Sequence, residues 1–267
     1  MNHMPLTVID RAAFARGALW LLMGAVLTTL LVFGQAVPPA ARTPVLVELF
    51  TSEGCSDCPP ADELLARLDQ EQFVPGAEVI VLSEHVTYWN HDGWHDPFSM
   101  QEMDERQRDY VYRFGLQDSY TPQAVVDGAQ QLVGNAPNAM VQAIERAAGV
   151  PKQSLTIESA HWDNGGVDFS VHASANSSAR LEAAVAEDAT QSEVKSGENA
   201  GRTLHHVAVV RALKDFGSKG LNGQPLHLAA PDPMHGADAK MRVRLVVFVA
   251  DRKTGHVLAV AEQTLAR

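Results

Sequence analysis

The two cysteines of this 267-residue chain, Cys55 and Cys58, form a C-x-x-C pattern. An apolar run from Val45 to Phe50, typical of a buried strand, precedes them, and an amphipathic helical pattern follows. Sulfur atoms at such a junction lie near the free amides of a helix N-terminus, which favour a thiolate. We therefore predict that Cys55 is a redox nucleophile and that Cys58 resolves its mixed disulfide.

Two other interpretations of the cysteine pair stay open. A structural disulfide is one, although a bridge across so short a loop adds little entropic stability. A copper or zinc site is the other, in which His85 completes a Cys/His ligand set with Cys55 and Cys58. His85 directly follows a predicted strand and would emerge at the same strand ends as the cysteines. The leading interpretation needs no cofactor and no metal.

Glu48 stands in the middle of the apolar run that leads to the cysteines. A buried carboxylate costs several kcal/mol unless it is paired or protonated, so its presence indicates a role. We predict that Glu48 is a catalytic residue that accepts the proton of Cys58 during disulfide exchange. An edge position facing water is the alternative.

A second feature comes sixty-four residues after Cys58, where Thr121-Pro122 opens a short apolar strand. A cis peptide bond there would place the Thr121 backbone beside the cysteines, where it can pair with a bound peptide. A trans proline opening an edge strand is the alternative. The aromatic, histidine-rich loop that contains Trp89 is expected to cover a site or a domain interface. Thr121, Pro122 and Trp89 are the predicted substrate-binding residues.

The elements that would position these residues follow from hydrophobic spacing. Strands are predicted at Val45 to Phe50 and Val79 to Leu82, and helices around Ala61 to Leu68, from a Ser99 capping box with Glu102 to Gly115, and from Asn135 to Gly149. A hairpin with an Asp127-Gly128 turn separates the last two helices. This order is that of a thioredoxin fold without its first strand and helix.

From Pro151 onward the hydrophobic period changes to two, which predicts about seven strands. The polar stretch Thr190 to Gly201 is interpreted as a mobile hairpin or loop. The predicted fold class is therefore α/β. A thioredoxin-like domain at residues 45–150 is followed by an all-β, sandwich-like domain at residues 151–267, and residues 37–44 form a linker.

Residues 1–36 are predicted to be a signal peptide or an N-terminal membrane anchor. After Arg16 the chain carries no charge until Arg42, and Gly17 to Gly34 is almost wholly apolar. We expect an extracytoplasmic location, in the periplasm or secreted, with residues 17–34 as an inner-membrane tether if the segment is retained. Disulfides form and persist in that compartment.

Composition excludes two classes of protein. Hydrophobic residues make up 46% of the chain, which excludes wholesale disorder. The net charge of −11 repels phosphate backbones, so nucleic acid is not an expected partner. The predicted partner is a protein thiol or disulfide, either as substrate or as redox partner.

The chain also resembles the DUF1223 family of secreted bacterial thioredoxin-like proteins. The resemblance covers residues 44 to 265. It is carried by Val47 to Asp62 with its Cys pair, His85, Tyr88-Trp89, Gly93-Trp94, Arg106-Gln107, Tyr120 to Gln123 and Val126 to Gly128. It implies a thioredoxin-like domain, the Cys pair as redox site and Pro122 as a cis proline.

The leading hypothesis is an exported thiol–disulfide oxidoreductase that acts on protein thiols or disulfides through Cys55 and Cys58. The β domain would dock a protein partner or shield the site. Two alternatives belong to other classes: a module that binds or delivers copper or zinc through the Cys pair and His85, and a redox-inert interaction protein of the envelope. The sequence leaves the substrate and the direction of electron flow open.

Overall fold

The computed structural model describes residue 1 and residues 41–91, 93–163, 165–174, 178–188, 190–231 and 242–265. Residues 41–267 form one compact unit. The predicted signal peptide or anchor and residues 37–40 of the predicted linker lie outside the described residues. Within the described part, no helix is both long enough and apolar enough to cross a membrane.

Strands outnumber helices in the described residues. The helices are α1 (Pro59–Glu71), α2 (Gln101–Phe114) and α3 (Pro137–Ala148), and a 3-10 turn lies at Ser218–Leu221. The first strands are β1 (Thr43–Thr51), β2 (Ala77–His85), β3 (Gln123–Val126), β4 (Gln130–Val133), β5 (Leu155–Asp163), β6 (Gly166–Ala173) and β7 (Ala179–Glu187). The remaining strands are β8 (Thr190–Glu193), β9 (Thr203–His206), β10 (Val209–Gly217), β11 (Leu226–Ala229), β12 (Val243–Asp251) and β13 (Val257–Leu265).

Eight strands form one mixed sheet in the order β13-β12-β7-β10-β2-β1-β3-β4. β1 and β2 are parallel, and β10 continues the sheet by pairing parallel to β2, with Val209 opposite Ser83. β11, β6 and β5 form a separate three-stranded sheet, and β8 pairs with β9 as a two-stranded hairpin. Strands from both halves of the sequence therefore share one hydrogen-bonded sheet.

The predicted fold class, a thioredoxin-like α/β domain followed by an all-β sandwich, is wrong. The structure is mostly β, and four of the C-terminal strands extend the sheet of the N-terminal half instead of forming a domain of their own. The physical reason lies in β2, whose outer edge carries main-chain groups that need partners. The change of the hydrophobic period to two at Pro151 predicts strands. It does not predict which sheet those strands join.

The hydrophobic core is continuous because the shared strands bury both faces. In β7, Leu181, Ala183 and Val185 pack towards the three-stranded sheet, whereas Ala184 and Ala186 belong to the core beneath the helices. This division follows from the alternation of side chains along a strand. The three-stranded sheet does pack face to face against another sheet, as in a sandwich. Its partner is the β7, β12 and β13 part of the eight-stranded sheet.

Local elements follow the sequence predictions more closely than the fold does. β1 contains the predicted strand, and α1 begins at Pro59, immediately after the cysteines. Helix α2 ends as predicted at Gly115, whose φ of 65° suits glycine. The predicted capping box does not form, because Ser99 donates its hydroxyl hydrogen to the Asp96 carbonyl oxygen and Met100 is the N-cap residue.

A buried ion cluster links α2 to the middle of the large sheet. Arg106 of α2 lies 2.7 Å from a Glu48 carboxylate oxygen, 2.7 Å from a Glu182 oxygen and 3.4 Å from a Glu84 oxygen. Tyr110 donates a 2.6 Å hydrogen bond to Glu48. Burial and the nearby Glu48 charge raise the pKa of Glu84 well above its usual range. The Arg106 guanidinium thus compensates the negative charges of Glu48 in β1 and Glu182 in β7.

We predict that Arg106→Met lowers the free energy of unfolding by about 3–5 kcal/mol, because it leaves buried carboxylates without their cation. Chemical denaturation with urea measures this change. Arg108→Met on the same helix is the matched control, since Arg108 is 60% exposed and lies 3.9 Å from its partner Glu105. Equal midpoints for the two variants would show that the cluster does not stabilise the fold.

Candidate functional site

The two cysteines form a disulfide in the turn between β1 and α1. Their Cα atoms lie 5.4 Å apart. Cys55 is 1% exposed and Cys58 is completely buried. The pair is thus positioned at the end of a strand and the start of a helix, as predicted, but no surface of it is open to a reagent in this state.

The first turn of α1 offers fewer free amides than the sequence argument assumed. Proline occupies the first two helical positions, Pro59 and Pro60, and proline has no N–H group. The next amides, of Ala61 and Asp62, donate to the Cys58 carbonyl oxygen at 2.8 and 3.1 Å. Stabilisation of a Cys55 thiolate by helix N-terminal amides is therefore weaker than expected for a helix without these prolines.

The loop at the end of the β8–β9 hairpin binds the main chain of the turn that holds the disulfide. Asn199, itself 1% exposed, donates its side-chain amide to the carbonyl oxygens of Glu53 and Cys55, each at 2.9 Å. Glu198 accepts a 3.0 Å hydrogen bond from the Ser56 amide. These contacts satisfy main-chain groups of the cysteine turn that would otherwise need water as their partner.

Beneath the turn, Glu53 is completely buried and accepts three hydrogen bonds. The donors are the Trp94 indole at 3.0 Å, the Ser192 hydroxyl of β8 at 2.9 Å and the His206 imidazole of β9 at 3.1 Å. A buried carboxylate is tolerated when donors of this kind surround it. Glu53 therefore fastens both strands of the hairpin to the cysteine turn.

Asp62 is a buried acidic residue in the first turn of α1. It lies four residues after Cys58, so both side chains project from the same face of α1. Burial raises the pKa of Asp62 to about 7, against the opposing effects of His206 and of a hydrogen bond from Thr51. One carboxyl oxygen accepts from the Thr51 hydroxyl at 2.9 Å, and the other lies 3.8 Å from His206 Nδ1. Asp62 thus exchanges a proton near neutral pH.

A second histidine–carboxylate pair adjoins the first. His85, at the end of β2, contacts Asp96 through Nδ1 at 2.7 Å, and the rings of His85 and His206 lie 4.7 Å apart. Burial opposes ionisation of Asp96, but its pairing with His85 and two main-chain hydrogen bonds lower its pKa to about 2. One of those bonds comes from the Glu53 amide at 2.9 Å. The two pairs form one connected polar network under the disulfide.

The structure does not bring Glu48 to the cysteines. Side chains alternate along β1, so Glu48 projects towards α2, where Arg106 and Tyr110 hold its carboxylate. Thr51 projects to the opposite face and contacts Asp62 of α1. Asp62, which Thr51 contacts, therefore lies on the face of β1 opposite to that of Glu48.

The predicted substrate-binding residues do come together. The Thr121–Pro122 peptide bond is cis. The Trp89 indole donates a 2.7 Å hydrogen bond to the Thr121 hydroxyl. Gly54, next to Cys55, lies so close to Trp89 that an added Cβ would be 2.8 Å from its carbonyl oxygen. Trp89 therefore connects the cysteine turn to the cis-proline segment.

A metal centre is less well supported by the geometry. His85 Nδ1 is occupied by Asp96, although Nε2 has no hydrogen-bond partner. Over the described ranges, no group of three or more His, Cys, Asp and Glu residues has an arrangement that could hold a metal ion. The Cys55, Cys58 and His85 ligand set therefore remains an alternative from the sequence alone.

Fold and site together define a mixed α/β, mostly β protein with a single C-x-x-C disulfide under a hairpin. The chain matches the family described as "Protein of unknown function (DUF1223)" over residues 46–250, and it belongs to that family. It is similar to the X-ray crystal structure of protein AGR_C_4864 from Agrobacterium tumefaciens, with 26% sequence identity and a TM-score of 0.58. That match covers 84% of this chain and 94% of the other. No curated protein matches the chain.

Several site residues were missed by the sequence argument. Asp62 had a usable signal, since its spacing of four from Cys58 places both on one helix face. Asn199 and His206 had none, because they reach the turn from a strand pair more than 140 residues away in sequence. Nothing in the sequence around His206 indicates that its side chain is buried.

We predict that Glu53→Gln lowers the free energy of unfolding by about 1–3 kcal/mol, because one amide oxygen replaces a carboxylate that accepts from three donors. Thermal or urea unfolding followed by tryptophan fluorescence measures the change. Glu63→Gln, at an exposed position of α1, is the control and should be nearly neutral. Equal stability of both variants would contradict the role of Glu53 as the fastening group.

Proposed function

We propose that the protein is an exported thiol–disulfide oxidoreductase that acts on protein thiols or disulfides. The observation that carries this proposal is the Cys55–Cys58 disulfide at a helix N-terminus, with the buried carboxyl group of Asp62 on the same helix face. A pKa of about 7 lets Asp62 give and take a proton at neutral pH. A disulfide with only a structural role has no need of such a group.

The exchange proceeds in two steps. A partner thiolate attacks the Cys55 sulfur, a new S–S bond forms, and the old one breaks with its electron pair on Cys58, which takes a proton from Asp62. A second partner thiolate then attacks the partner's own sulfur in the mixed disulfide and releases Cys55 as a thiolate. The partner leaves with a disulfide, and Cys55 and Cys58 are reduced. An external disulfide returns the pair to its oxidised form by the reverse steps.

The roles of the other residues follow from their positions. The Thr121 backbone at the cis Pro122 is placed to align a partner chain, as in recognition by strand addition. Trp89 fixes the Thr121 hydroxyl and packs against the cysteine turn. His206 and Thr51 hold the Asp62 carboxyl group in place. Glu48, in its ion pair with Arg106, supports the sheet and takes no part in the proton transfer.

The location belongs to the same proposal. An apolar N-terminal segment with flanking arginines directs the remainder of the chain out of the cytoplasm. An oxidising compartment is where a closed Cys55–Cys58 bridge persists. The net charge of −11 agrees with a protein partner and disfavours nucleic acid.

A redox titration of residues 37–267 tests the proposal. Glutathione or dithiothreitol buffers set the potential, and alkylation with mass spectrometry reports the states of Cys55 and Cys58. We expect a midpoint between about −120 and −270 mV, the range of working exchange catalysts. A midpoint well below about −300 mV would indicate a structural bridge and would overturn the proposal.

We predict that Asp62→Asn changes the pH dependence of disulfide reduction by dithiothreitol. In the wild type, the rate corrected for the thiolate fraction of the reagent falls as pH rises through about 7, because only protonated Asp62 supplies a proton to Cys58. In Asp62→Asn this inflection is lost, and the rate at pH 6 falls by roughly tenfold or more.

Glu48→Gln is the matched control for this experiment. It also removes a buried carboxylate, but on the opposite face of β1, so the inflection near pH 7 is expected to persist. The two variants thereby distinguish Glu48, the proton-transfer residue predicted from the sequence, from Asp62, the one indicated by the geometry. Loss of the inflection in Glu48→Gln and its retention in Asp62→Asn would reverse the assignment.

A further inference from the structure

We propose that residues 194–202, the loop of the β8–β9 hairpin, form a lid on the surface where a partner polypeptide binds, and that the partner displaces this lid. The proposal rests on the proposed function, since it names the binding surface and the kind of partner for the same disulfide. The surface consists of the main-chain groups of the cysteine turn, from Glu53 to Ser56. Three of these groups are engaged by the lid.

The contacts of the lid are those that a bound chain would make. The Asn199 side-chain amide donates to the Glu53 and Cys55 carbonyl oxygens, and Glu198 accepts from the Ser56 amide. The turn therefore presents two acceptors and one donor around the reacting sulfur. A polypeptide main chain carries both donors and acceptors, and it can satisfy all three groups as the lid leaves.

The lid is also built so that it can move separately from the sheets. β8 and β9 are four residues each and pair only with one another, so the hairpin belongs to neither larger sheet. Its base is fixed at Ala208, which accepts from the Ser83 amide at 2.9 Å and donates to Asp188. Short two-stranded units are marginally stable by themselves, and their opening requires less free energy than unfolding of a core.

A small set of side-chain contacts holds the closed state. Within the lid these are the bonds of Asn199 and Glu198 and the bond from the Ser196 hydroxyl to the Gly93 carbonyl oxygen, beside the buried Val194 side chain. Ser192 of β8 and His206 of β9 donate to Glu53 and fix the strands that carry the lid. A partner or water can replace the hydrogen bonds of the lid. Cys55 is 1% exposed in the closed state. We expect a thiol to reach its sulfur more readily once these contacts break, and the rate of reduction measures this change.

The first experiment measures reduction of the disulfide by dithiothreitol under single-turnover conditions. Dithiothreitol gives up two electrons and two protons and forms its cyclic disulfide, and Cys55 and Cys58 become thiols. We expect Asn199→Ala to react roughly tenfold faster than the wild type, since two hydrogen bonds of the closed state are lost. Lys195→Ala, at an exposed position of the same loop, is the control and should react like the wild type.

The second experiment replaces dithiothreitol with a synthetic unstructured peptide that carries two cysteines. Oxidation of this peptide by the protein disulfide is followed against peptide concentration. If the peptide and the lid compete for one surface, Asn199→Ala lowers the half-saturating concentration by the same factor by which it accelerates reduction by dithiothreitol. If Asn199→Ala is reduced faster by dithiothreitol but its half-saturating peptide concentration is unchanged, the peptide and the lid do not share a surface, and the proposal is overturned.

Two further outcomes separate this proposal from the one on which it rests. If no variant oxidises the peptide but Asn199→Ala is still reduced faster, the oxidoreductase function is overturned and the lid stands. If Asn199→Ala is reduced no faster than Lys195→Ala, the lid is overturned.

Hydrogen exchange on the wild type covers the case in which Asn199→Ala does not fold. The Ser56 amide, which donates to Glu198 of the lid, is then compared with the amides of β12. Exchange of the Ser56 amide by local opening, much faster than β12, supports the lid, and exchange only on global unfolding excludes it.

Discussion

The parallel pairing of β10 with β2 is the contact on which the arrangement of this protein depends. Val209 lies opposite Ser83, two residues before β2 ends at His85, and Thr51 at the end of β1 is in register with His85. Parallel strands end at a common edge of the sheet. The hairpin that immediately precedes β10 is therefore delivered to the edge where the cysteine turn follows β1. This pairing makes one sheet of strands from the two halves of the chain and brings the hairpin to the cysteine turn.

The polar network under the turn lowers the stability of the folded protein, because it buries a carboxyl group. With a pKa near 7 in the folded state and about 3.9 in the unfolded state, Asp62 costs nothing below pH 4 and on the order of 4 kcal/mol above pH 7. An apolar residue would avoid this cost. Glu53 and Asp96 differ, because hydrogen bonds and histidine contacts compensate their burial. Of the three carboxyl groups of this network, Asp62 has the least compensated burial, and it follows Cys58 by four residues, which favours a chemical role for it.

How much the sequence predicts depends on the range of the interactions involved. Strand β1, the start of α1, the Gly115 helix end and the cis Pro122 follow from local patterns or from family resemblance, and the structure has all of them. The shared sheet does not follow, because alternation in β7 and β12 is the same whether they extend β2 or form a separate sandwich. Glu48 illustrates the same limit within the site. The sequence left burial and a water-facing edge position open; the side chain is buried, and the face of β1 from which it projects depends on where the helices pack.

Two features of the turn lower the reactivity of the cysteines. Pro59 and Pro60 remove amides that would stabilise a thiolate, so the helix start contributes less activation than the motif suggests. Asn199 engages the Cys55 carbonyl oxygen, and Cys55 is buried. Little reactivity is therefore intrinsic to the pair while the hairpin is closed. Selectivity then rests on which chains can replace the lid contacts, and a partner that leaves the Cys55 and Glu53 carbonyl oxygens unpaired meets a free-energy penalty before any sulfur exchange begins.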